Sequence, residues 1–324
     1  MKSTRNILEV KDLQTHFFTR RGVIKAVDGV SFTLREGETL GLVGESGCGK
    51  TITSLSIIRL VPKPAGRIVG GEIIFDGEDL LDKDEREMRE IRGKRISMIL
   101  QDPMTSLNPV FTVGEQVAES IRIHQKIKGR QVDEQVKEML RLVGIPAPEM
   151  RMRNYPHQMS GGMRQRIVAA IALSCQPQLL IADEPTTALD VTIQAQLLRL
   201  LKDIQTQSNL SMIVITHDLG IVAKVCDRVA VMYAGRIVES AGVRDIFNNP
   251  RHPYTQALLQ SLPKLDSTVD RLYSIEGQPP DLLNPPPGCR FRPRCGKVGD
   301  RCDGYYPEQV QVGEGHYVSC WQHD

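Results

Sequence analysis

Gly44-Glu45-Ser46-Gly47-Cys48-Gly49-Lys50-Thr51 directly follows the apolar run Leu40-Gly41-Leu42-Val43 and reads G-x-x-x-x-G-K-T. A strand that ends in such a loop, with a helix opening near Lys50, is a cradle for phosphate. Its three glycines let the backbone aim several N–H groups inward, and the helix adds the positive end of its dipole. Lys50 then reaches the β- and γ-phosphates, and the Thr51 hydroxyl ligates Mg²⁺. The contacting set comprises Gly44, Glu45, Ser46, Gly47, Cys48, Gly49, Lys50, Thr51 and Ile52, with Cys48 contributing its backbone rather than a reactive thiol.

Further along the chain, Leu179-Leu180-Ile181-Ala182-Asp183-Glu184-Pro185 is an unbroken apolar strand ending in two carboxylates. Such strands are buried on both faces in parallel sheets, and ligands gather at their carboxyl ends. Asp183 is placed to hold hydrated Mg²⁺ and Glu184 to accept a proton from an attacking water; the alternative is an Asp-Glu pair capping the next helix. A second such strand, Met212 to Thr216, ends at His217, where an imidazole can hydrogen-bond a γ-phosphate. A third, Arg95 to Leu100, ends at Gln101. Ser160-Gly161-Gly162 precedes a helix from Arg164 to Leu173, where it either caps that helix or binds an anion.

Around these elements the pattern is that of an α/β protein. Ile7 to Phe18 and Ala26 to Leu34 alternate like half-buried strands about a turn at Arg20-Arg21-Gly22, an antiparallel start. Ile52 to Leu60 suits a helix, Glu72 to Phe75 a strand, and Asp82 to Arg95 a solvated helical connection. From Val113 to Met150 the period turns helical, with apolar Val136, Met139, Leu140, Leu142 and Val143 at helical spacing, as in an inserted helical lobe. Two short strands, Arg228 to Tyr233 and Arg236 to Glu239, close the unit near Ile246.

At 324 residues the chain has room for one large core and a smaller second unit. Its 41 basic and 39 acidic side chains nearly balance, which leaves non-specific nucleic-acid binding through overall charge unsupported. Met1 to Asn6 carry no signal-peptide core, and no apolar run approaches the roughly 18 residues of a spanning helix. A cytosolic protein is expected, with any membrane role exercised through partners.

The tail is unlike the rest. A proline-rich passage through Pro279-Pro280 and Pro285-Pro286-Pro287 acts as a stiff linker to Cys289-x5-Cys295-x6-Cys302-x17-Cys320. Reducing conditions argue against disulfides there, and zinc lacks its usual close C-x2-4-C knuckles. A [4Fe–4S] cluster spans wider spacings, so it is preferred over zinc and over free thiols. Arg290, Arg292, Arg294, Lys297 and Arg301 would favour the thiolates, while Phe291, Tyr305, Tyr306 and Trp321 would shield the cluster. The rival reading of this basic, aromatic run is a nucleic-acid patch.

Taken together, residues 5 to 246 resemble the ATP-binding subunits of ABC transporters. Gly44 to Thr51 resembles Walker A, Gln101 the Q-loop, Ser160-Gly161-Gly162 the signature, Asp183-Glu184 Walker B with its catalytic glutamate, Ala188-Leu189-Asp190 the D-loop and His217 the switch histidine. Tyr155-Pro156-His157-Gln158-Met159-Ser160-Gly161-Gly162-Met163, with His252-Pro253-Tyr254-Thr255 and the cysteine tail, is similar to the D-type ATPases of dipeptide and oligopeptide permeases. The resemblance implies a P-loop ABC ATPase fold with a mixed sheet core, an antiparallel β subdomain and a helical lobe at about 110–160, within a nucleotide-binding domain of residues 1–246. Residues 247–324 would form a small irregular C-terminal domain with a four-cysteine metal site. It implies ATP, bound also by Ser160, Gly161, Gly162 and Asp190; Mg²⁺ held by Thr51, Gln101 and Asp183; and catalysis by Glu184, His217, Gln101 and Lys50. Met163 stands where the family has glutamine. Where relatives place an aromatic ring on adenine the sequence offers Arg21, with Phe17 or Phe18 as the alternative.

The resemblance further implies an ATP-hydrolysing motor of a peptide importer at the cytoplasmic face of the membrane. Its partners would be a second, non-identical ATPase, two transmembrane permease subunits and, indirectly, an external peptide-binding protein. The contending expectation is a soluble ABC ATPase acting on nucleic acid or ribosomes.

Overall fold

The chain begins with two long strands, β1 (Asn6–Thr19) and β2 (Gly22–Arg35), joined at the Arg20-Arg21 turn. The computed structural model describes residues 5–101, 106–187, 190–262 and 273–323. Next come β3 (Thr39–Val43), α1 (Lys50–Ile57), β4 (Gly66–Phe75), β5 (Glu78–Asp79), α2 (Glu85–Ile91) and β6 (Ile96–Ile99). The helical stretch resolves into α3 (Val113–Gln125), α4 (Arg130–Leu142), α5 (Pro148–Arg151) and α6 (Gly161–Leu173). Then follow β7 (Leu179–Asp183), α7 (Val191–Ser208), β8 (Ser211–Thr216), α8 (Leu219–Val225), β9 (Arg228–Tyr233) and β10 (Arg236–Gly242). Two helices, α9 (Val243–Asn248) and α10 (Pro253–Gln260), precede the tail strands β11 (Val310–Gly313) and β12 (His316–Val318).

These elements fall into two compact units. The first comprises residues 1–7, 35–39 and 82–215. Within it β8, β7 and β6 lie side by side, and β7 pairs in parallel with both neighbours. Every position of β7 and β8 is buried, as expected of strands covered on both faces. The helices of this unit share one core: Val132, Val136, Met139 and Leu140 of α4 recur at helical spacing and meet Val117 and Ile121 of α3 and Ile167 of α6. Sharp starts define the helices. Thr112 and Glu115 form a reciprocal capping box on α3, and Asp84 and Glu87 do the same on α2.

The second unit comprises residues 8–34, 40–81 and 216–324. It holds the four-stranded sheet β2-β1-β4-β5, in which β1 and β4 run antiparallel. It also holds the strand series β11-β12-β10-β9-β3. There β3 pairs in parallel with β9, while β9, β10, β12 and β11 pair antiparallel, so this sheet is mixed. The tail is therefore not wholly irregular: its hairpin adds to β10, with Glu239 opposite Val318. Strands of four and three residues around Gly313-Glu314-Gly315 are too short for alternation to announce them. No helix among the described residues is long and apolar enough to cross a membrane.

Candidate functional site

The phosphate loop connects β3 to α1 in the second unit. Gly44, Gly47 and Gly49 all adopt positive φ, of 152°, 78° and 107°. A side chain on Gly44 would collide with the Met232 carbonyl and one on Gly49 with the Ala26 carbonyl, whereas Gly47 faces open space. Ser46, Gly47 and Thr51 are exposed, while Cys48 and Gly49 are buried. Lys50 is 6 % exposed and donates from Nζ to the carbonyls of Gly44 at 2.8 Å and Glu45 at 2.9 Å. Burial pushes the Cys48 thiol up against the pull of Lys50, so it is no reactive thiolate. The Arg21 side chain is exposed at the β1–β2 turn; of the two alternative adenine contacts, Phe17 is partly buried and Phe18 has Arg67 5.4 Å from its ring centroid.

The carboxylate pair lies in the first unit. Asp183 ends β7 and is 1 % exposed. The next residue, Glu184, has φ of 46°, a left-handed backbone that is uncommon for a non-glycine residue. Its carboxylate accepts from Gln101 Nε2 at 2.9 Å and from Thr187 Oγ1 at 3.0 Å, both at Oε2. The structure thus brings Gln101 and Glu184 together; Thr187 was missed in the sequence because a threonine in a turn carries no spacing signal.

Ser160 caps α6, its hydroxyl accepting from Met163 N–H at 3.3 Å. Ser160 and Gly161 are exposed, and a side chain on Gly162 would meet Ile193 of α7. Asp190 caps α7, accepting from the N–H groups of Thr192 and Ile193. Ala188 and Leu189 lie outside the described residues. His217 follows β8 and is exposed.

The tail departs from expectation. Among the described residues no group of three or more His, Cys, Asp or Glu side chains is arranged to hold a metal ion. Burial pushes Cys289 up to about 11 and also raises Cys295 and Cys320, and the neighbouring thiols add to the rise. The basic side chains are engaged elsewhere. Arg290 pairs with Asp28, Arg292 with Asp303 and Arg294 with Glu45, while Lys297 donates to Gln256 and Arg301 sits 4.1 Å over Trp321. Cys289, Cys295, Cys302 and Cys320 lie close enough to act on one another electrostatically, but neither the iron–sulfur cluster nor the zinc alternative finds support among the described residues. Packing holds the tail instead: Phe291 stands edge-on to Tyr233 at 5.2 Å and against Tyr254 at 5.3 Å.

The ABC transporter family pattern matches residues 27–187, and the pattern of the oligopeptide/dipeptide transporter C-terminal region matches residues 238–302. The chain is 54 % identical to a probable peptide ABC transporter ATP-binding protein, y4tR, of Sinorhizobium fredii, over 98 % of this chain and 95 % of that one. It is equally 54 % identical to the dipeptide transport ATP-binding protein DppD of Bacillus subtilis, with the same coverage. Among solved structures, the ATP-binding cassette MJ0796 bound to ADP and Pi superposes with a TM-score of 0.65 at 25 % identity, over 73 % of this chain and 99 % of that one. These peptide-transporter matches do not support the contending nucleic-acid expectation, and the tail arginines Arg290, Arg292 and Arg294 are each paired with a carboxylate. A phosphate loop on a mixed sheet, a strand ending in Asp-Glu and a peptide-transporter tail on one chain agree with these matches: the chain belongs to the ABC transporter ATP-binding proteins that carry the oligopeptide/dipeptide transporter C-terminal region.

Proposed function

We propose that the chain is the ATP-hydrolysing motor subunit of an importer of dipeptides or oligopeptides, with Glu184 as the base that activates water. The carrying observation is the Glu184 carboxylate, fixed by Gln101 and Thr187 at the carboxyl end of a buried parallel strand. A carboxylate oriented by two donors is positioned to take a proton as the water oxygen attacks the γ-phosphorus and ADP departs.

Gly44 to Ile52 bind the phosphates, Lys50 neutralises them, and His217 hydrogen-bonds the γ-phosphate. Thr51, Gln101 and Asp183 each offer an oxygen donor, the chemistry that suits a hard divalent cation such as Mg²⁺. When bound, that ion supplies charge neutralisation to the triphosphate. Arg21 stacks on adenine; its guanidinium is exposed, whereas Phe18 already carries Arg67.

Ser160, Gly161, Gly162 and Asp190 serve nucleotide held by a second, non-identical ATPase subunit. Residues 1–246 act as the nucleotide-binding domain and 247–324 as its C-terminal companion. The pair drives two permease subunits supplied by an external binding protein, from a peripheral position at the cytoplasmic face of the membrane. ATP-driven closure and reopening supply the stroke.

In the assembled transporter, Glu184→Gln is expected to lower phosphate release by about 10²- to 10⁴-fold while ATP stays bound. Unchanged hydrolysis would move the base elsewhere. Lys50→Ala is expected to weaken ATP binding itself.

A further inference from the structure

Side chains from beyond the β core grip the phosphate loop from behind. Glu45, its second residue, keeps a side chain 26 % exposed and receives both arms of Arg294: Nη1 donates to Oε2 at 2.6 Å and Nη2 to Oε1 at 2.9 Å. This is a bidentate fork, the strongest form of charge-assisted hydrogen bond between side chains. Arg294 is itself 4 % exposed and cannot follow the loop. Its Nε donates to the Glu276 carbonyl at 3.0 Å, Nη2 also to the Ile275 carbonyl at 3.3 Å, and Nη1 also to the Tyr233 hydroxyl at 3.3 Å.

The backbone of Glu45 is held as well. Its N–H donates to the hydroxyl of Tyr254 at 2.9 Å. Tyr254 is fully buried, with its ring 4.5 Å from that of Tyr233, so the hydroxyl is a fixed point. Across the loop, the Cys48 carbonyl accepts from Gly235 N–H at 2.8 Å. One amide of the loop is thus committed to the tyrosine, and the loop's own carboxylate is committed to an arginine nearly 250 residues away.

We propose that Arg294 and Tyr254 are positioning residues for nucleotide: they hold the loop in the shape that presents its remaining amides to phosphate, and Arg294 neutralises a carboxylate built into an anion site. The C-terminal region thereby sets the affinity for ATP. The proposal rests on the reading of Gly44 to Thr51 as the phosphate site. Without Arg294, the Glu45 carboxylate would oppose the triphosphate and the loop would lose its lateral anchor, so both effects act in the same direction.

The test is titration of the full-length chain with the fluorescent nucleotide mant-ATP, with thermal midpoints recorded in parallel. Arg294→Ala is expected to weaken binding about tenfold, Arg294→Lys to recover part of the loss by restoring charge without the fork, and Tyr254→Phe to weaken binding about threefold. Variants that lower the midpoint but bind within twofold of the parent, while Lys50→Ala loses binding, would reduce the contact to a structural one and overturn the proposal. Parental binding by Lys50→Ala would overturn the phosphate-site reading itself. Should Arg294→Ala fail to fold, Arg294→Lys and Tyr254→Phe carry the decision, because each keeps most of the buried contact.

Discussion

Glu184 combines a left-handed backbone with a carboxylate held by two donors, a geometry that orients the group at a local cost. Thr187→Val keeps the shape and removes one donor. It is expected to cut turnover roughly ten- to hundredfold with ATP affinity retained, read by phosphate release against nucleotide titration. Parental turnover would show that the Thr187 hydroxyl does not orient the carboxylate. Asp183, Glu184, Gln101 and the loop residues were legible in the sequence because each sits at the carboxyl end of a buried strand or within a fixed spacing. Thr187, Tyr254 and Arg294 were not. The last two meet Glu45 across 209 and 249 residues, and no local period encodes such a contact.

The helix α10 opens on His252, whose Nδ1 accepts from Tyr254 N–H at 3.0 Å. Burial, assisted by His323, pushes this imidazole down to about 3. An unfolded histidine binds its proton near pH 6.5, so between about pH 6.5 and 3 the unfolded chain carries one proton more than the folded one. Stability is full above that window and falls as acid is added, by at most about 1.4 kcal/mol per pH unit. His252→Asn keeps an acceptor without the titration; its thermal midpoint should fall less than the parent's between pH 7 and 5. On β2, Asp28 is subject to two opposed effects: burial raises its pKa, but Arg290 and Arg236 outweigh this and hold the carboxyl below its usual range. Arg290→Ala removes the buried guanidinium from that carboxylate, leaving Arg236 and His16 beside it, and should cost about 3 kcal/mol in urea denaturation. A cost below about 1 kcal/mol would show that water replaces the guanidinium. Strand and helix types were largely legible, since apolar period and capping residues are local. Arg290 and Arg294 were assigned to the cysteines because charge near cysteines is visible in sequence, whereas Asp28 and Glu45, with which they pair, are brought up only by folding.

The C-terminal region is part of the second unit rather than an appendage: it extends a sheet, packs Phe291 into an aromatic cluster and reaches the phosphate loop. A chain lacking residues 310–323 would bare the outer edge of β10. It is expected to appear in the aggregated fraction on expression, and a soluble, monomeric product with the parental thermal midpoint would contradict that role. This continuity was hidden in the sequence, where the prolines from Pro279 to Pro287 mark a boundary while the short β11 and β12 give too few residues to reveal a return to the sheet. The return has a temporal consequence. β12 is synthesised about eighty residues after the strand it covers, and at ~5–20 residues per second that is an interval of about 4–16 s on the ribosome. Throughout that interval the nascent chain presents β10 as an open hydrogen-bonding edge, so the last pairing of the sheet is a late event in biogenesis, and the newborn protein is a client for any chaperone that binds exposed strand edges.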